Sequence, residues 1–166
     1  MTDAPAGGDV PFRVGHAVDV HARSDDPTRV LVLGGVRFDG AVGLIGHSDA
    51  DVVAHACTDA LLGAAGLGDI GQMFPDTDPE LEGADSIELL RRAAEAVRAA
   101  GWRPGNIDCS VMLDTPKLAP VKARMERNLS VAVGAPVTVS GRRTEGVGSI
   151  GRGEGVVAWA VALVAR

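Results

Sequence analysis

Residues 48–66, SDADVVAHACTDALLGAAG, decide the fold of this chain. Ser48 followed by Asp51 three residues on matches a helix-capping pattern, with Asp in the usual Glu place, and the apolar run behind it ends near Gly66. A helix from about Asp49 to Ala65, capped by Ser48, is predicted. Upstream, Phe12–His21 alternates, with Val14, His16, Val18 and Val20 on one face and Gly15, Ala17, Asp19 and His21 on the other, which is the pattern of a strand. Val30–Phe38 reads as further extended chain, with a bulge or bend at Gly34 and Gly35.

Downstream, Asp85 and Glu88 repeat the cap pattern and open a second helix that ends at Gly101, with Leu89, Leu90, Ala93 and Val97 as its core stripe. Ile107–Leu113 alternates as a strand and Pro120–Val133 carries a third helical pattern. Pro136–Ser140 and Val156–Val164 read as strands. The order β-β-α-α-β-α-β-β predicts one α/β (α+β) domain, a mixed sheet of four to five strands with helices packed on one face. The helix-free face of the sheet is where copies of the chain are expected to meet.

Composition agrees with a single compact domain, because 166 residues with 46% hydrophobic and 23% charged content can bury a core. Aromatic content is 3% with no Tyr, so the core must be built of small aliphatic side chains and is suited to assembly. A formal net charge of −6 opposes non-specific attraction to nucleic acid or to an anionic membrane face, so a phosphate ligand needs local cations. No run approaches the roughly 18 apolar residues of a membrane span. The N-terminal MTDAPAGGDVP lacks the basic start and apolar centre of a targeting signal. Residues 1–12 are read as a disordered leader, 13–166 as the domain, and the location as cytoplasmic. Cys57 and Cys109 form no C-x-x-C pair and are read as buried, inert thiols.

Asp19 and His21, two apart on a strand, point to one face and can converge on an ion, although a surface hydrogen-bonded pair has the same spacing. His55 would be a third ligand or a satisfied core histidine. Asp51 and Asp59, one turn to either side of it, are either acceptors that orient its ring or a solvated helix face. The glycine-rich stretch 146–155 fits neither a P-loop nor a dinucleotide fingerprint and alone reads as a loop.

RVGHAVDVHA, GLIGHSDADVVAHACTDALLGAAGLGDIG, FPDTDP and TEGVGSIGRGEG resemble the motifs of the 2-C-methyl-D-erythritol 2,4-cyclodiphosphate synthase family, from about Arg13 to the C-terminus. The resemblance implies a divalent ion, usually zinc, on Asp19, His21 and His55, with magnesium or manganese as a further ion at a diphosphate. It implies cyclisation of 4-diphosphocytidyl-2-C-methyl-D-erythritol 2-phosphate with loss of CMP, inside a homotrimer whose active sites lie between subunits. His47 and Ser48 then approach the attacking phosphate, and Asp69, Gly71, Phe74, Asp76 and Asp78 surround the methylerythritol hydroxyls. Lys117 belongs to the cytosine-reading stretch LDTPKLA, and Thr144, Glu145 and Arg152 to the diphosphate. Two positions depart from the family pattern. Arg142 and Arg143 replace threonines of a usual T-T-T-E run, so Arg143 takes the place of the threonine that stabilises the transition state. Ser149, also counted with the substrate-side residues, replaces a large apolar residue lining the trimer's central cavity. An alternative is a catalytically impaired relative that binds zinc and a cytidine nucleotide. A phosphate-ester hydrolase is a further one, which lacks a dedicated base for the water.

Overall fold

The computed structural model describes residues 11–166. Of the expected leader 1–12, residues 1–10 lie outside the described residues, and Phe12 already opens the first strand. The strands are β1 Phe12–Ala22, β2 Val30–Leu33, β3 Val36–Val42, β4 Arg103–Met112, β5 Val137–Arg142 and β6 Gly155–Ala165. The helices are α1 Val52–Ala65, α2 Ile70–Met73, α3 Ser86–Ala99, α4 Lys122–Val133 and α5 Gly148–Gly151, with a 3-10 turn at Pro79–Leu81.

The main sheet has the order β1-β6-β4-β5. It is mixed, since β4 and β5 run parallel while β6 is antiparallel to both neighbours. This is the four-stranded form of the expected sheet. The extended chain around Gly34–Gly35 does not join it but folds into the separate β2–β3 hairpin. Leu33 pairs with Val36, and both intervening glycines take positive φ (57° and 67°). That is a two-residue hairpin turn, which the bend reading underestimated.

Helix α1 begins three residues later than expected, and its cap is Asp51, not Ser48. The Asp51 carboxylate accepts from Val53 N and Ala54 N at 3.1 and 3.2 Å. It also accepts from Gly34 N and Gly35 N at 2.9 and 2.6 Å. One fully buried side chain therefore fixes the helix start to the hairpin turn. Burial and the neighbouring Asp49 push its carboxyl upward, against the pull of these backbone donors.

The core lies between the helices and one face of the sheet and is aliphatic, as the composition required. Ala56, Ala60 and Ala64 of α1 are buried, and Gly15 of β1 lets that ridge approach the strand. A Cβ on Gly15 would stand 2.2 Å from Ala60 O and 2.4 Å from Ala64 N. Helix α3 buries Leu89, Leu90, Ala93 and Val97 against α1 as its stripe predicted. Cys57 and Cys109 are buried free thiols, and their mutual hydrogen bond with burial raises the Cys57 pKa well above the ordinary thiol value. The opposite sheet face leaves Phe12, Val14, Val18, Val20 and Val161 exposed.

Candidate metal centre and adjoining pockets

Strand periodicity turns Asp19 and His21 toward α1, which carries His55 over them. Asp19 Oδ2 lies 3.0 Å from His21 Nε2 and 3.1 Å from His55 Nδ1. The two ring nitrogens are 3.2 Å apart. Their other nitrogens are already engaged: His21 Nδ1 meets Ile45 O at 2.5 Å. His55 Nε2 meets Ser86 Oγ at 2.9 Å and Ser48 Oγ at 3.1 Å. Because a carbonyl can only accept, His21 carries its proton on Nδ1 and presents a lone pair from Nε2.

Three acceptors packed this closely repel one another unless a proton or cation sits among them. Burial raises and the two histidine hydrogen bonds lower the Asp19 pKa, with a net displacement far below the carboxylate range. Burial lowers and the Asp19 bond raises the His21 pKa, and the rise prevails. The donor set suits a divalent ion. Nitrogen and oxygen ligands about 2.0 Å from a tetrahedral zinc stand about 3.3 Å apart, close to the separations found. Asp19, His21 and His55 are the group of described residues that could hold a metal ion.

Of the two readings of Asp51 and Asp59, orienters of His55 or a solvated helix face, neither describes Asp51, which is fully buried, and the hydrogen bonds of both carboxylates go elsewhere than to the ring. Asp51 is spent on backbone N–H groups, and Asp59 accepts from Ile70 N at 2.6 Å. Hydroxyls take that place, because the Ser86 side chain reaches His55 from the N-terminus of α3. Ser86 stood out in no sequence pattern. Arg29, which no pattern marked, donates through one nitrogen to Gly46 O and Ser48 O at 2.8 and 2.9 Å, pinning the turn that carries His47.

A cavity of about 410 Å³ opens over the triad, walled by His47, Ser48, Gly71, Phe74 and Asp76 among the expected residues. The His47 Nε2–H donates to Asp78 O at 2.8 Å. The Asp78 side chain instead caps the 3-10 turn, and that of Asp69 caps α2 through Gln72 N at 2.8 Å. Phe74 is buried beneath the Arg92 guanidinium, 4.9 Å above its ring.

A second pocket, of about 270 Å³, is lined by Lys117, Lys122, Arg142 and Arg143 together with Asp114 and Leu118. Asp114 accepts from the backbone and hydroxyl of Thr144, whose bonds hold its carboxyl below the ordinary range. Arg143 Nε lies 3.8 Å from the same carboxylate. Glu145 is exposed at a positive φ of 53°, and Arg152 pairs with Glu154 at 2.7 Å. Ser149 is exposed on α5, the short helix that interrupts the expected loop. The two pockets share no lining residue. One chain thus assembles the triad with its cavity but keeps the Lys117 group apart from it.

The model of the YgbB family matches residues 12–165. Over 159 residues the chain is 52% identical to the 2-C-methyl-D-erythritol 2,4-cyclodiphosphate synthase of Azoarcus sp. (strain BH72), covering 94% of this chain and 97% of that protein. It is similar to the bifunctional IspDF from Campylobacter jejuni, with a TM-score of 0.87 and 41% identity over 93% of this chain, and spans 42% of that longer chain. It is also similar to IspF of Plasmodium falciparum in its CDP complex, with a TM-score of 0.79 and 29% identity, covering 93% of this chain and 96% of that one.

Proposed function

The chain belongs to the YgbB family, and from that premise we propose that it is a 2-C-methyl-D-erythritol 2,4-cyclodiphosphate synthase acting as a phosphorus–oxygen lyase. The observation that carries the reading is the convergence of three lone pairs, on Asp19, His21 and His55, at the floor of a cavity. In the proposed reaction an oxygen of the substrate's 2-phosphate bonds to the β-phosphorus of its diphosphate. The bond from that phosphorus to the bridging oxygen breaks, and the oxygen leaves with the electron pair as CMP.

Bringing two phosphates together costs about 4 kcal/mol per unit-charge pair at 4 Å and an effective dielectric constant near 20, and the net charge of −6 adds to the cost. Asp19, His21 and His55 would hold a divalent ion, zinc by their donor set, and that ion, with magnesium or manganese as a further one, would supply Lewis-acid neutralisation of the phosphates. His47 and Ser48 stand on the cavity wall, where the Ser48 hydroxyl can donate to the attacking phosphate and the His47 ring, whose Nε2–H goes to Asp78 O, can donate through Nδ1 as an imidazolium. The exposed Asp76 carboxylate can accept from methylerythritol hydroxyls, while buried Phe74 excludes water from that side. Asp69, Gly71 and Asp78 shape the loop around them.

Lys117 and its loop are assigned to the cytidine moiety. Arg143, with Thr144, Glu145, Ser149 and Arg152, is assigned to the diphosphate end, Arg143 as a bidentate donor in place of a hydroxyl. Two observations support a homotrimer with shared active sites: the separation of the two pockets within one chain, and the exposed valine face of β1. The proposal keeps the cytoplasm as the location. No helix of the described residues is long and apolar enough to cross a membrane.

Phosphorus NMR of the purified protein with the cytidine diphosphate substrate tests the reading. With zinc and magnesium, cyclic diphosphate and CMP are expected to appear together, and chelator stops both. His55→Ala is expected to abolish zinc binding and turnover while the fold survives. Free phosphate as product would point instead to hydrolysis, and an unchanged spectrum from folded, zinc-loaded protein to a binder without turnover.

A further inference from the structure

Behind His55 runs a chain of hydrogen bonds that the reaction as described does not use. His55 Nε2 lies 2.9 Å from Ser86 Oγ, and Ser86 Oγ donates to Asp49 Oδ1 at 2.5 Å. Ser86 is fully buried, and its backbone N–H also leans on the same carboxylate, at 3.4 Å from Oδ2. A hydroxyl has one proton. With that proton committed to Asp49, the Ser86 oxygen can only accept from His55, which places the ring proton on Nε2 and leaves Nδ1 as the lone pair facing Asp19 and His21.

The Ser48 hydroxyl lies 3.1 Å from the same ring nitrogen and 3.2 Å from Ser86 Oγ. It accepts from Ala50 N at 3.2 Å, and among the partners of Nε2 Ser86 alone leads to a carboxylate, while Nδ1 faces Asp19 Oδ2 at 3.1 Å. Asp49 is itself placed, its N–H donating to Ala84 O at 3.0 Å across to the start of α3. It lines the groove on the far side of the His47 turn, with Arg37 and Gly83, and does not line the cavity over the triad.

We infer that Ser86 and Asp49 are positioning residues for the metal centre: the Asp49–Ser86–His55 relay fixes the tautomer and orientation of His55 and raises its strength as a metal ligand. A carboxylate acting through a hydroxyl does here what a carboxylate hydrogen-bonded directly to a ligating imidazole does elsewhere, and loss of such an outer partner costs about ten- to a hundred-fold in metal affinity. The inference rests on the metal role proposed for the triad, and its test separates the two. In metal-free full-length protein, nitrogen-15 NMR of the His55 ring is expected to report a proton on Nε2. Ser86→Ala is expected to give a mixture of tautomers. Zinc affinity, measured by competition with a chromophoric chelator, is expected to fall about ten- to a hundred-fold in Ser86→Ala, and to fall also in Asp49→Asn, which keeps the side-chain shape but removes the charge.

Thermal melts of the metal-free proteins show whether each variant folds. If Ser86→Ala does not, Asp49→Asn decides alone. Unchanged tautomer and unchanged zinc affinity in a folded variant overturn the relay. Wild-type protein that binds no zinc yet shows the Nε2–H tautomer, lost in Ser86→Ala, retires the metal reading and leaves the positioning of His55 by Ser86 standing.

Discussion

At His21 two influences oppose each other: burial disfavours the charged ring, while the bonds to Asp19 and to the Ile45 carbonyl favour it and prevail, raising the pKa above 6.5. In metal-free protein this protonation contributes stability that is fully present below pH 6.5 and is lost as pH rises through the raised value. A metal needs the opposite state, a bare Nε2. Zinc affinity should therefore weaken as pH falls through the same window, with a proton released on binding. Calorimetric titration in buffers of differing ionisation enthalpy checks the proton, and a pH-independent zinc affinity between pH 6 and 8 would exclude His21 as a ligand. Arg29 belongs to the same scale. Its guanidinium spans Gly46 O and Ser48 O, so Arg29→Met should free the turn that carries His47. Turnover is expected to drop about ten-fold or more with a smaller change in zinc affinity, since Arg29 gives its hydrogen bonds to Gly46 O and Ser48 O and acts on His21 through its charge alone. Equal losses in both would place Arg29 in the metal site instead.

Among the elements, the contact of α1 with β1 does most to build the site, because it sets the height of His55 above Asp19 and His21. Gly15→Ala would drive a methyl into the backbone of α1 at Ala60 and Ala64, atoms that cannot rotate away. A loss of about 3 kcal/mol is expected, roughly 6–12 °C in Tm, with weakened zinc binding. Asp51→Ala would strip four backbone N–H groups of their acceptor and is expected to cost a similar amount. Thermal melts of zinc-free protein check both, and a shift under about 2 °C would remove either from this role. These elements also mark what the sequence could reveal. Strand alternation displayed Asp19 and His21 on one face, and the apolar run displayed α1. The cap was misread because S-x-x-D fits two geometries, and only the folded hairpin, by offering Gly34 and Gly35 N–H groups to Asp51, chooses between them. Ser86 and Arg29 left no signal for a similar reason. Their partners are a ring and two carbonyls far along the chain, and no local period records such contacts.

For the whole molecule, the separation of the triad cavity from the Lys117 pocket sets the sharpest requirement. If both serve one substrate, a neighbouring copy must close the distance, and the surface able to receive it is the helix-free face of the sheet. There Val14, Val18 and Val20 are 63%, 61% and 59% exposed, in register with Leu163, Trp159 and Val157 of β6. An apolar strip of this kind is costly to leave in water and marks an association surface. A lysine at Val18 would sit mid-strip, opposite Trp159, and a buried charge without a partner is not tolerated in such a contact. Val18→Lys should therefore be monomeric by light scattering at concentrations where the parent chain assembles, as the trimer proposed for it. It should keep its zinc affinity, because Asp19 and His21 face the other side of the strand, and it should release no CMP in the phosphorus NMR assay. A monomer that still cyclises the substrate would mean that one chain supplies both pockets, and the shared-site reading would fall while the metal centre stood.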